Sequence, residues 1–129
     1  MALVVVVPVN AETTVWQATG NQTISEPITV DSVVVSKGTY DSGVWNYTMV
    51  GAGTATLTIT VTNTGTQAYT LTMGVTSITP TPTAGTITTV WNYPTRDIGV
   101  GVTRTFILTV TTSAEVPLGT YNFGMSMTR

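Results

Sequence analysis

The chain has 129 residues, no cysteine, no histidine, a net charge of −2 and only 8% charged side chains, against about 25% in an ordinary soluble domain. Disulfide frameworks, thiolate or imidazole metal sites and nucleophilic triads that need histidine or cysteine are therefore excluded. Four scattered cations, Lys37, Arg96, Arg104 and Arg129, make neither a phosphate-binding patch nor a polybasic membrane patch, so no nucleic-acid partner is expected.

The chain begins with an unbroken apolar run, Leu3-Val4-Val5-Val6-Val7-Pro8-Val9. It is far shorter than the ~20 residues of a membrane span, no basic segment precedes it as in a secretory leader, and consecutive β-branched residues favour extended backbone. It reads as a strand. No polar residue interrupts it, so both faces expect cover, and a neighbouring molecule is the natural source. Extended, residues 2–11 reach about 33 Å, enough to leave their own domain. A strand given to a neighbour's open sheet edge is β-augmentation, and a head-to-tail contact that does not close on itself propagates as a filament.

The rest of the chain, residues 12–129, reads as one domain of short strands. Ile28 and Val30 alternate in one phase and Val33 and Val35 in the other, which predicts a β-bulge near Asp31 and Ser32. Turn signals at Lys37-Gly38, Asp41-Ser42-Gly43 and Gly51-Ala52-Gly53 separate further short strands. In 54–62, strict alternation places Ala55, Leu57, Ile59 and Val61 on one face and threonines on the other. A turn at 63–66 then predicts a hairpin with a second strand, in which Tyr69, Leu71, Met73 and Val75 face inward. A proline-punctuated loop over 79–85 precedes a strand at 86–91. Phe106, Leu108 and Val110 form another inward face, the Pro117-Leu118-Gly119 turn reverses the chain, and Tyr121, Phe123, Met125 and Met127 form the last. The spacing predicts an all-β, two-sheet β-sandwich of immunoglobulin-like or jelly-roll topology. Threonine, with 31 residues, takes much of the place that surface charge would hold.

The remaining chemistry is carboxylate chemistry. Glu12, Glu26, Asp31, Asp41, Asp97 and Glu115 show no spacing that suggests a facing catalytic pair, and no enzyme activity is expected. Asp31 and Asp41 flank turn-rich segments, the surroundings in which calcium finds ligands, but no calcium-loop motif is present and no cofactor is expected. Val44-Trp45-Asn46-Tyr47 echoes Val90-Trp91-Asn92-Tyr93; the two aromatic pairs read as core at similar strand ends, with a sugar-stacking platform as the alternative. Asn21 and Asn46 lie in Asn-x-Thr glycosylation motifs, whereas Asn92 precedes Tyr93-Pro94 and does not.

The N-terminal apolar strand, the stretch TATLTITVTNTGTQAYTLTM (54–73) and VPLGTYNFGM (116–125) together resemble the TasA/camelysin-type biofilm fibre subunits and the related archaeal bundling pilins. The chain departs from them in showing no leader segment and in being shorter than many such subunits. The resemblance implies a non-enzymatic extracellular glycoprotein, a pilus or biofilm-matrix subunit that polymerises head to tail into a helical homopolymer by donor-strand complementation and bundles with neighbouring filaments. On that reading residues 1–11 are the donor strand, Leu3 to Val9 form the subunit interface, and there is no membrane span. A viral capsid or appendage protein and a carbohydrate-binding module are the alternatives.

Overall fold

A computed structural model describes residues 15–23 and 25–129. The N-terminal strand expected at Leu3 to Val9 lies outside the described residues. Within them the chain is all-β, with no helix and nine antiparallel strands in three sheets. These are β1 Ile28–Val35, β2 Thr39–Asp41, β3 Val44–Asn46, β4 Gly53–Asn63, β5 Tyr69–Val75, β6 Ile87–Trp91, β7 Thr95–Ile98, β8 Thr103–Thr112 and β9 Met125–Thr128.

The larger sheet has the order β1-β4-β8-β6. Its centre is the β4–β8 ladder, in register over ten residue pairs from Gly53↔Thr112 to Thr62↔Thr103. Directly opposed residues share a face, so Thr54, Thr56, Thr60 and Thr62 each meet a threonine of β8 on the outer face. Hydroxyl contacts run across the pairs Thr60–Thr105 and Thr62–Thr103. On the other face Leu57, Val61, Phe106, Leu108 and Val110 are buried, as the alternation predicts. The second sheet, β7-β5-β9, adds Leu71, Met73 and Ile98 to the same core cluster. A two-residue turn at Ser42-Gly43, both with positive φ, closes the β2–β3 hairpin, the backbone that tight hairpins require. The predicted bulge is present: the β1–β4 register shifts between Val30 and Ser32, leaving Asp31 unpaired.

Two expected pairings are corrected. Residues 54–62 and 69–75 are strands but not a hairpin, because β4 has both edges occupied by β1 and β8 while β5 pairs with β7 and β9. The chain crosses between sheets after Asn63, whose fully buried amide serves as a peg. Its Nδ2 donates to the carbonyls of Gln67 (2.6 Å) and Ile98 (3.2 Å), and its Oδ1 accepts from Gly65 N–H (3.0 Å). Likewise the segment after β8 does not fold back on β8: β9 pairs with β5 in the other sheet. The Pro117-Leu118-Gly119 turn is fastened by the Tyr121 hydroxyl, which donates to the Pro117 carbonyl (2.8 Å).

Candidate functional site

An open apolar groove runs between β1 at the edge of one sheet and β9 at the edge of the other. Ile28, Val30 and Val33 of β1 form one wall, Met125 and Met127 of β9 the other, and Ile59 and Leu71 lie at its floor. The register shows why this surface is unusual. Val30 is paired with Val61 on the inward face of the sheet; Val61 is 0% exposed, Val30 54%. Inward-facing valines normally meet an opposing layer. Among the described residues none covers Val30 to the extent that Val61 is covered.

One end of the groove is bounded by an ion pair, Arg129 Nε to Glu26 Oε1 at 2.7 Å, with the Arg129 guanidinium 5.0 Å from the centre of the Tyr69 ring. The Glu26 carboxylate also accepts from Ile28 N–H (3.2 Å). That backbone hydrogen bond, assisted by Arg129, holds the Glu26 carboxyl below its ordinary value. At the other end Tyr40 and Gly43 of the β2–β3 hairpin reach the groove wall.

The candidate residues named from the sequence are dispersed. Asp31 accepts from the Thr62 hydroxyl, Asp41 from Ser42, and Asp97 from Thr70 (2.7 Å), so these carboxylates face hydroxyls rather than one another. Among the described residues no group of three or more metal-ligating side chains is found, and no helix is long and apolar enough to cross a membrane. The two aromatic pairs do not meet in one platform. Trp91 is buried and its indole donates to the Gly74 carbonyl (3.1 Å), while Arg96 covers the Tyr93 ring at 4.1 Å. Trp45 stacks on Tyr47 (4.5 Å) and meets Phe123 edge-on (6.2 Å), its indole donating to the Lys37 carbonyl (2.9 Å). Burial there pushes the Tyr47 phenol above its usual value. Asn21 and Asn46 are both exposed, as are Thr23 and Thr48 of their motifs.

Sequence reasoning does not find the groove. Alternation places Met125 and Met127 inward but is silent on whether anything lies opposite them, because that depends on which sheet edge each strand takes. Comparison of the chain with family models, characterised proteins and solved structures finds no match.

Proposed function

We propose that this chain is the structural subunit of an extracellular filament, a pilus or biofilm-matrix fibre of the TasA/camelysin and archaeal bundling-pilin kind. Its fold on this reading is a two-sheet β-sandwich, and its apolar N-terminal strand completes a neighbouring copy. The carrying observation is the groove between β1 and β9, where inward-facing side chains such as Val30 are left uncovered. Apolar surface left open between two sheets is what a donated strand needs, and Leu3 to Val9 is a strand with more apolar faces than one sheet can cover.

Strand order supports the immunoglobulin-like form. The sheet β1-β4-β8-β6 corresponds to the A-B-E-D sheet of such a domain, and β5-β9 to the C-F pair of its second sheet, with β7 extending it beyond β5. The low charge content suits a protein that associates with itself, and the accessible Asn21 and Asn46 motifs fit a surface glycoprotein. The burial of Trp91 and the covering of Tyr93 weigh against a carbohydrate-binding module.

Electron microscopy of the purified protein tests the proposal. The parent chain forms filaments, and a variant lacking residues 1–11 is expressed but does not. A shortened protein that polymerises like the parent would overturn it.

A further inference from the structure

If the filament reading holds, the structure also constrains where and how the donated strand sits. Two edges line the groove. On β1 the ladder is interrupted at Asp31, and the side chain of that unpaired residue is engaged by the Thr62 hydroxyl; bulges and edge carboxylates are devices that blunt an edge. The strand β9 is regular and uncharged over its four residues. In the immunoglobulin-like order it takes the F position, and the place beside F belongs to G, which runs antiparallel to it. Among the described residues no strand occupies that place.

The main-chain direction of β9 is fixed by one hydrogen bond. Thr76 N–H donates to the Gly124 carbonyl (2.9 Å), in line with the β5–β9 register. Main-chain groups alternate sides along a strand, so Gly124, Ser126 and Thr128 bond toward β5. Met125 and Met127 therefore direct their N–H and C=O groups to the free edge, and their side chains face the groove.

Pro8 then sets the parity of the incoming strand. It has no N–H, so its position must point away from the acceptor, which leaves Leu3, Val5, Val7 and Val9 to bond. In an antiparallel pair, residues that bond directly opposite one another share a face. The bonding residues of the donor thus follow Met125 and Met127 into the groove. A parallel donor would reverse the parity and place Val4, Val6 and Pro8 inside.

The occupant is a second copy. Residues 15–23 are exposed along their length, Val15 at 79% and Trp16 at 74%, and a Cβ added at Gly20 would meet nothing within 4 Å. This connection can extend over about 30 Å, enough for the residues before it to reach a neighbouring copy. We infer that Leu3 to Val9 of a second copy adds to β9 as the fourth strand of the β7-β5-β9 sheet, antiparallel to β9. Leu3, Val5, Val7 and Val9 fill the groove, and Val4, Val6 and Pro8 lie on the outer face with Ser126 and Thr128.

Paired threonine substitutions in the full-length chain test the parity, since threonine keeps the shape and strand preference of valine and exchanges one methyl for a hydroxyl. Val5→Thr with Val7→Thr is expected to raise the critical concentration for filament formation, measured by sedimentation and electron microscopy, at least about tenfold. Val4→Thr with Val6→Thr is expected to leave it within about twofold. The opposite parity, equal losses, or no loss in either pair overturns the assignment to β9 while leaving filaments to be explained by another edge. A loss that appears as a lower melting temperature of a monomer, independent of concentration, places the strand in its own subunit and overturns it as well. A parent chain that stays monomeric at every concentration sinks both this inference and the filament reading.

Discussion

Val30 and Val61 are partners in the β1–β4 ladder and point to the same face, yet one is fully buried and the other is more than half exposed. Identical side chains in adjacent strands therefore carry different free energies. Val61→Ala is expected to cost about 2 kcal/mol of subunit stability, the usual scale for deleting buried methyl groups. Val30→Thr should change it by less than about 0.5 kcal/mol, as at other exposed positions, while weakening assembly. Chemical denaturation of both variants checks this, and equal losses would mean that something covers Val30 in the isolated subunit.

Among the described residues Asn63 is the buried polar residue of the core, and its amide makes three hydrogen bonds, two within the crossing from β4 to β5 and one to Ile98 of β7. Asn63→Ala leaves the carbonyls of Gln67 and Ile98 and the Gly65 N–H without this partner, the Ile98 carbonyl in buried surroundings and the other two partly open to water. A loss of about 1–3 kcal/mol is expected, the scale for one buried group left unsatisfied. Asn63→Asp should be no better, because the carboxylate cannot donate to either carbonyl. A variant as stable as the parent in denaturant would show that the peg is dispensable.

The Glu26 carboxyl is held below its ordinary value of 4.5, first by the Ile28 N–H and then by Arg129. A depressed carboxylate contributes stability above its unfolded value, and that contribution is lost as the pH falls through the lower folded value. Melting curves between pH 6 and pH 3 should therefore show a small loss below about pH 4.5 that is absent in Glu26→Gln. An acid response identical in parent and variant would mean that the ion pair at the groove end adds nothing.

Tyr47 behaves in the opposite sense. Its phenol is raised above the ordinary 10.0 by burial against Trp45 at 4.5 Å. A neutral acid whose folded value is raised contributes stability below the unfolded value and loses it as the pH climbs through the folded one. Spectroscopic titration should show a phenol ionising above the ordinary value, and Tyr47→Phe should remove that step and reduce the alkaline loss of stability. A late step that persists in the variant would assign it to another tyrosine.

Much of the fold can be read from period-two alternation. The inward row of Leu57, Phe106 and Leu108, the strand expected at 86–91 and found at Ile87–Trp91, and the bulge at Asp31 all follow from which faces are apolar and where the phase slips. Pairing was not legible in the same way. Residues 69–75 look like the return arm of a hairpin because the turn at 63–66 is short and polar, whereas the crossing to the other sheet is held by non-local contacts such as those of Asn63 with Ile98 and of Thr64 with Pro27. The groove was not legible. An unbroken apolar run is a local property of the sequence at Leu3 to Val9, whereas the groove brings β1 and β9 together from opposite ends of the described chain, and no window of sequence contains both.

Thioethers in the wall opposite β1 give that wall a chemical sensitivity that the valines and isoleucine of β1 lack. Met125 and Met127 are partly accessible, and the chain has no thiol to compete for oxidant. Peroxide would turn two flexible apolar side chains into polar sulfoxides at the positions where apolar contact is wanted, while leaving the Leu57 and Phe106 interior alone. Oxidised material should melt like the untreated protein and yet lose its capacity to associate, and methionine sulfoxide reductases should restore it.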